Sequence, residues 1–209
     1  RNAINRNRHE YEDRWPNVVG ASLENVKVWE AGLGGRTTDL DFPSLPGRNG
    51  LEYLPVALLQ AAPLDLVILA LGTNDLFPEA DRKPQYTVNA MRSLVKVTRD
   101  LPTAQGSSVP NTSPPRVMIV APPNCLPLPA VTGEGFPELD KLTRWLPELA
   151  KLYGELAIEQ NTYFADAAQL CEADPVDGLH LDVENTRKLG VGIAKELALK
   201  RFARLIKNE

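Results

Sequence analysis

The residues best suited to chemistry in this chain are few, and they stand where strands and helices should begin or end. His180 is one of two histidines and lies three residues after an aspartate in Val176-Asp177-Gly178-Leu179-His180-Leu181. A carboxylate at that spacing, in a tight loop containing Gly178, can bond one imidazole nitrogen and leave the other to act as a general base. By itself the spacing serves equally well a helix-leading loop in which Asp182 or Asp177 caps the helix and His180 is incidental. A second polar cluster, Gly72-Thr73-Asn74-Asp75, follows the most apolar segment of the chain. Strands often end in such residues simply because these tolerate turn backbones. An asparagine there can also point an amide N–H at a developing oxyanion, a donor worth on the order of 10²- to 10³-fold in rate. Gly35, after another apolar run, could supply a second donor from its backbone.

Several other chemistries exclude themselves. Gly32-Leu33-Gly34-Gly35 resembles the start of a dinucleotide-binding turn, but Thr37 stands at the third glycine position. The following Asp39 to Gly50, with Pro43, Pro46 and Gly47, is no helix that could face a pyrophosphate. Neither a G-x-x-x-x-G-K-[ST] loop nor a G-x-S-x-G elbow occurs. Two cysteines, Cys125 and Cys171, with two histidines do not make a convincing zinc site, and no cofactor is implied. Both cysteines follow expected strands, so they are either a disulfide or, as is usual in a reducing cytosol, two partly buried thiols.

Charge and hydropathy narrow the partners. A net charge of -4 gives no basic footprint for nucleic acid or an anionic membrane surface, and a small neutral substrate fits better. No apolar run approaches the roughly 18 residues of a membrane span. The opening Arg1-Asn2-Ala3-Ile4-Asn5-Arg6-Asn7-Arg8 lacks Met and apolar content, so it carries no readable targeting signal; cytoplasmic residence is the expectation.

The elements that must position these residues follow from periodicity. At 209 residues and 43% hydrophobic content, the chain suits one sizeable core, and a single domain over 1–209 is expected. Four short apolar runs read as buried strands: Val26 to Trp29, Leu66 to Leu71, Val117 to Val120 and Thr162 to Phe164. Helical spacing runs over Asp13 to Leu23, Leu51 to Ala61, Val88 to Asp100, Leu139 to Glu159 and Glu184 to Ile206. Strands alternating with helices predict a doubly wound, parallel α/β sheet. Pro102 to Pro115 reads as a solvated surface loop. Pro122 to Pro137 follows a strand's C-terminal end, where open α/β sheets place ligands, so it is either a substrate wall or a proline-stiffened connection.

Taken in order, Glu30-Ala31-Gly32-Leu33-Gly34-Gly35-Arg36-Thr37-Thr38, then Gly72-Thr73-Asn74-Asp75, then Asp177-Gly178-Leu179-His180 closely resemble the SGNH or GDSL hydrolase family. Arg14-Trp15-Pro16, Asn49-Gly50, Tyr53-Leu54-Pro55 and Pro63-Leu64-Asp65-Leu66-Val67 look like its aryl-esterase and acyltransferase branch. The similarity spans the chain from about Arg14 to the C-terminal helix. It implies a flavodoxin-like three-layer α/β/α fold and ester hydrolysis through an acyl-serine. It makes His180 the general base, Asp177 its orienting carboxylate, Gly35 a backbone oxyanion donor and Asn74 a side-chain one. The branch includes oligomers, and loops such as Phe42 to Gly50 and Pro122 to Pro137 could meet a neighbouring subunit of a homo-oligomer.

The family's nucleophile lies in a Gly-Asp-Ser-Leu block at the end of the first strand, upstream of the Arg-Trp segment. No serine stands upstream of Arg14 here. Ser22, in Gly20-Ala21-Ser22-Leu23, ends a helical pattern; Ser44 lies in a Pro-rich loop, Ser93 inside a helix, and Ser107, Ser108 and Ser113 in the surface loop. In the family's sheet the first strand is internal. Without it, neighbouring backbone groups would go unpaired at roughly 1 to 3 kcal/mol each, which together exceed the ~5 to 15 kcal/mol stability of a domain. An N-terminal strand with its Gly-Asp-Ser-type turn is therefore expected in the natural protein.

The function expected is a serine esterase acting on small acyl esters such as acetyl esters, able to pass the acyl group to water or another nucleophile. A pocket-binding protein without the nucleophile, or a carbohydrate O-deacetylase on the same scaffold, are the alternatives.

Overall fold

A computed structural model describes residues 7–42, 44–77, 82–101, 113–133 and 138–205. Arg1 to Arg6, and the Pro102 to Pro115 loop as far as residue 112, lie outside the described residues, as do the last four residues of the Pro122 to Pro137 stretch. Two compact units emerge, one drawn from Arg1–Glu30, Pro123–Asp140 and Ala167–Glu209, the other from Ala31–Pro122 and Lys141–Asp166.

The second unit holds the sheet. Strands β1 (Leu66–Leu69), β2 (Arg116–Ala121) and β3 (Tyr163–Asp166) lie side by side in that order. Both ladders are parallel, with Val67 opposite Val117 and Ile119 opposite Phe164. Parallel neighbours need long crossovers, and helices supply them here. β2 is the most thoroughly buried strand: Val117 to Ala121 are all at most 3% exposed, which explains a run without alternation. The class expected from the sequence, α/β with a parallel sheet, is the one found.

The helices carry numbers in chain order. α1 spans Trp15–Ser22, α2 Gly50–Ala61, α3 Pro84–Asp100, α4 Leu139–Glu159 and α5 Val183–Leu205. α3 buries Val88, Met91, Leu94, Val95 and Thr98 at three- and four-residue steps, and Pro84 stands at its start, where a missing N–H costs nothing. α3 packs on α2 in the sheet unit, while α1 packs on α5 in the other. α5 opens with Asp182, whose carboxylate accepts from Asn185 N–H at 2.7 Å in the manner of an N-cap.

One expected strand is not formed. Val26 to Trp29 has no ladder partner among the described residues, and Val26 and Trp29 are 45% and 56% exposed. Alternating Val, Lys, Val and Trp gives a segment the shape to pair, but a strand exists only where a neighbouring backbone completes its hydrogen bonds. The other boundaries either coincide with the expected ones, as at both ends of α4, or shift by at most four residues. Helix α3 starts earlier than its apolar pattern because Pro84 sets the first turn, and β1 stops at Leu69 because the chain turns away before Gly72.

Gly72 allows that turn. Its φ is +130°, and a Cβ there would stand 2.8 Å from Leu149 Cδ2 and 2.9 Å from Tyr153 Oη. Gly72→Ala is accordingly expected to destabilise the protein by about 2–4 kcal/mol through backbone strain and overpacking together. Urea unfolding would check this, and a midpoint equal to that of the unaltered protein would contradict it.

Candidate active site

His180 and Asp177 sit in the first unit, in the loop leading to α5. The loop is built by Asp177 itself: its Oδ1 accepts the backbone N–H of Leu179 and of His180, each at 2.9 Å, an Asx-type turn. Gly178, with φ +73°, takes the left-handed conformation between them, where a Cβ would come within 2.7 Å of Val131 and 2.9 Å of Leu139. This leaves Oδ2 to pair with His180 Nδ1 at 2.6 Å. The aspartate side chain is 8% exposed and the imidazole 26%.

The aspartate's electrostatics suit the role. Burial works to raise the Asp177 carboxyl, but the His180 ring and the two backbone N–H donors outweigh it and hold the carboxyl below the ordinary range. The bond to Asp177 holds the ring through Nδ1. Asp182 caps the helix, and Asp177 bonds the histidine. The other histidine, His9, is 8% exposed and bonds the Leu181 carbonyl through Nε2 at 3.0 Å, a structural tie to the same loop.

Gly35 and Asn74 lie together in the second unit, on two turns joined by hydrogen bonds. Gly35 has φ +79°, and its N–H makes no hydrogen bond among the described residues. Asn74 opens a short helical turn, Asn74–Leu76, just past β1. Its Nδ2 donates one hydrogen to the Arg36 carbonyl at 2.9 Å, which fixes the amide and directs its second N–H. Arg36 is anchored in turn: its guanidinium lies 3.9 Å from the centre of the Tyr53 ring and donates to the Ala31 carbonyl at 2.6 Å. Burial draws its pKa below the usual arginine value.

Four residues without a role in the sequence reading complete this cluster. Asp75, fully buried, accepts from Thr38 N–H at 3.1 and 3.0 Å through its two oxygens and from the Thr38 hydroxyl. Arg82 donates to Asp75 at 3.2 Å and also pairs with Asp39. Burial pushes the Asp75 carboxyl above its ordinary range, against the pull of Thr38 and Arg82. From α4, the buried Tyr153 hydroxyl donates to the Leu71 carbonyl at 3.2 Å. The repeated polar pattern Thr37-Thr38 and Asn74-Asp75 was the available signal for the first pair. Tyr153 gave none, being one apolar position among many on α4.

Among the described residues, no other serine or cysteine stands in a nucleophile's setting. Ser22 is the exposed last residue of α1, Ser44 and Ser113 are exposed, and Ser93 lies exposed on α3, donating to the Asn89 carbonyl. Ser107 and Ser108 lie outside the described residues. Cys125 and Cys171 are buried and form no disulfide. Burial pushes the Cys125 thiol up to about 11, away from the thiolate a nucleophile requires. No group of acidic, histidine or cysteine side chains among the described residues could hold a metal ion.

The model of the GDSL-like lipase/acylhydrolase family matches residues 4–185. Among solved structures, a carbohydrate acetylesterase from Sinorhizobium meliloti shares 34% identity, covering 92% of this chain and 88% of that one at a TM-score of 0.81. The inhibitor-bound aryl esterase of M. smegmatis shares 34% over 92% and 87%, at 0.82. Another S. meliloti structure, of a carbohydrate acetylesterase family member, shares 32% over 95% and 91%, at 0.83. No curated protein matches significantly. The chain belongs to the GDSL-like lipase/acylhydrolase family, and its fold is that of the SGNH/GDSL hydrolases. It is a carboxylic ester hydrolase of the serine type. No helix among the described residues is long and apolar enough to cross a membrane.

Proposed function

We propose that this enzyme hydrolyses esters of small acyl groups such as acetyl, and transfers the acyl group when an alcohol replaces water, with His180 as general base and Asp177 orienting it. The observation that carries the reading is the 2.6 Å pair between His180 Nδ1 and Asp177 Oδ2. The serine of the family's Gly-Asp-Ser-Leu turn attacks the ester carbonyl carbon, and its proton passes to His180 Nε2. The carbonyl oxygen becomes an oxyanion and receives N–H bonds from the Gly35 backbone and the Asn74 amide. Collapse expels the alcohol, which takes the proton from His180, and leaves an acyl-serine. Water, giving a proton to the same nitrogen, then attacks the acyl carbon; the bond to the serine oxygen breaks, that oxygen regains the proton from His180, and the carboxylic acid departs. Acetyl esters are favoured as the class because the similar structures include a carbohydrate acetylesterase and a carbohydrate acetylesterase family member beside aryl esterases.

Full-length protein should hydrolyse p-nitrophenyl acetate and be labelled covalently by a fluorophosphonate probe, with loss of hydrolysis in proportion to labelling. Hydrolysis that persists after complete labelling would refute an acyl-serine route. Two buried, unbridged cysteines suit a reducing compartment such as the cytoplasm, and the resemblance to a branch that includes oligomers favours a homo-oligomer, which light scattering on a sizing column reads directly.

A further inference from the structure

We propose that Asp75, through Thr38, is a positioning residue of the oxyanion hole: it locks the turn bearing Gly35 to the turn bearing Asn74 and so sets the two donors against one oxygen. The inference rests on the assignment of Gly35 and Asn74 as those donors. The two turns are 37 residues apart in sequence, and nothing in local backbone preference brings them into register. What joins them is a small set of hydrogen bonds, nearly all involving buried atoms. Asp75 takes both the N–H and the hydroxyl of Thr38, and both residues are fully buried. One residue before Asp75, Asn74 donates to the Arg36 carbonyl, so each turn is bonded to the other at two positions.

Each turn is also anchored from behind. The Thr37 and Thr38 carbonyls accept from Gly50 N–H at 3.2 Å and Leu51 N–H at 2.8 Å, which fastens the Gly35 turn to the start of α2. There Asn49 Oδ1 caps the helix by accepting from Leu51 and Glu52. Tyr153 holds the Leu71 carbonyl, and Arg82 bridges Asp75 and Asp39. A buried carboxylate bonded by three donors is a costly arrangement to keep for packing alone, since each group left unmatched would destabilise the fold. Its geometric effect is to remove freedom between Gly35 and Asn74. Donors fixed before the charge develops are those that lower a barrier.

The test uses Thr38→Val, Thr38→Ser and Asn74→Ala in the full-length enzyme with p-nitrophenyl acetate. Thr38→Val removes the hydroxyl while keeping its shape, and kcat is expected to fall about 10- to 100-fold with KM little changed, a partial loss of oxyanion stabilisation. Thr38→Ser restores the hydroxyl and should recover most of the rate. The double variant Thr38→Val with Asn74→Ala decides the matter. If Thr38 acts by aiming the donors, its effect shrinks to a few-fold once Asn74 is gone, because coupled residues are not additive. An equal loss in both backgrounds, or no loss in either, overturns the proposal while the assignment of Asn74 stands. A silent Asn74→Ala would overturn the assignment itself.

Discussion

His180→Ala in the full-length enzyme is expected to lower kcat for p-nitrophenyl acetate by roughly 10³- to 10⁶-fold, with KM changed little, as removal of a triad base does elsewhere. The size of the effect follows from the reaction. A serine hydroxyl is a weak nucleophile until a neighbouring base accepts its proton, and the same base must later protonate the leaving alcohol. The Asp177 side chain holds Nδ1, and in the proposed cycle the opposite ring nitrogen performs both tasks. Stopped-flow hydrolysis and far-UV circular dichroism on the same sample separate lost chemistry from lost fold. A rate within tenfold of the unaltered enzyme would remove His180 from the mechanism.

The second large effect belongs to its partner. Asp177→Asn is expected to cost about 10⁴-fold in kcat, because an amide in place of the carboxylate favours the wrong imidazole tautomer. The amide oxygen can still accept the backbone N–H of Leu179 and His180, so the loop survives and the loss is chemical. The same variant carries a stability signature. Asp177 is held below its ordinary value in the folded protein, so its ionised form stabilises the fold. That contribution is complete above the unfolded aspartate value of about 3.9 and is lost as pH falls through the lower, folded value. Urea midpoints from pH 7 to pH 3 should therefore show the unaltered protein's advantage over Asp177→Asn shrinking at the acid end. A gap that stays constant across that range would contradict the assignment of the shift.

Local features were legible in the sequence, and distant ones were not. Asp177 and His180 are three residues apart in a loop that Asp177 itself folds, so the pair could be read from spacing and turn chemistry alone. α4 was placed to the residue because its apolar positions repeat without interruption from Leu139 to Glu159. Val26 to Trp29 failed for the opposite reason. Composition reports what a segment can pair with, whereas a strand needs a backbone beside it. Asp75 and Thr38 were visible as polar residues near strand ends, but their bond depends on the path of the chain between them. Tyr153 lies 82 residues from Leu71, and no periodicity marks a core tyrosine as one whose hydroxyl holds a carbonyl.

The paired turns also bear on how this enzyme can be re-engineered. Thr38 and Asp75 share hydrogen bonds that neither can replace alone, so a change at one position is judged in the context of the other. A library that randomises them separately will discard nearly every member, including combinations that would succeed together. Moving the Gly72-Thr73-Asn74-Asp75 turn into another scaffold would transfer the amide without the frame that aims it. The smallest portable unit is the two turns together with Asn49 at the start of α2.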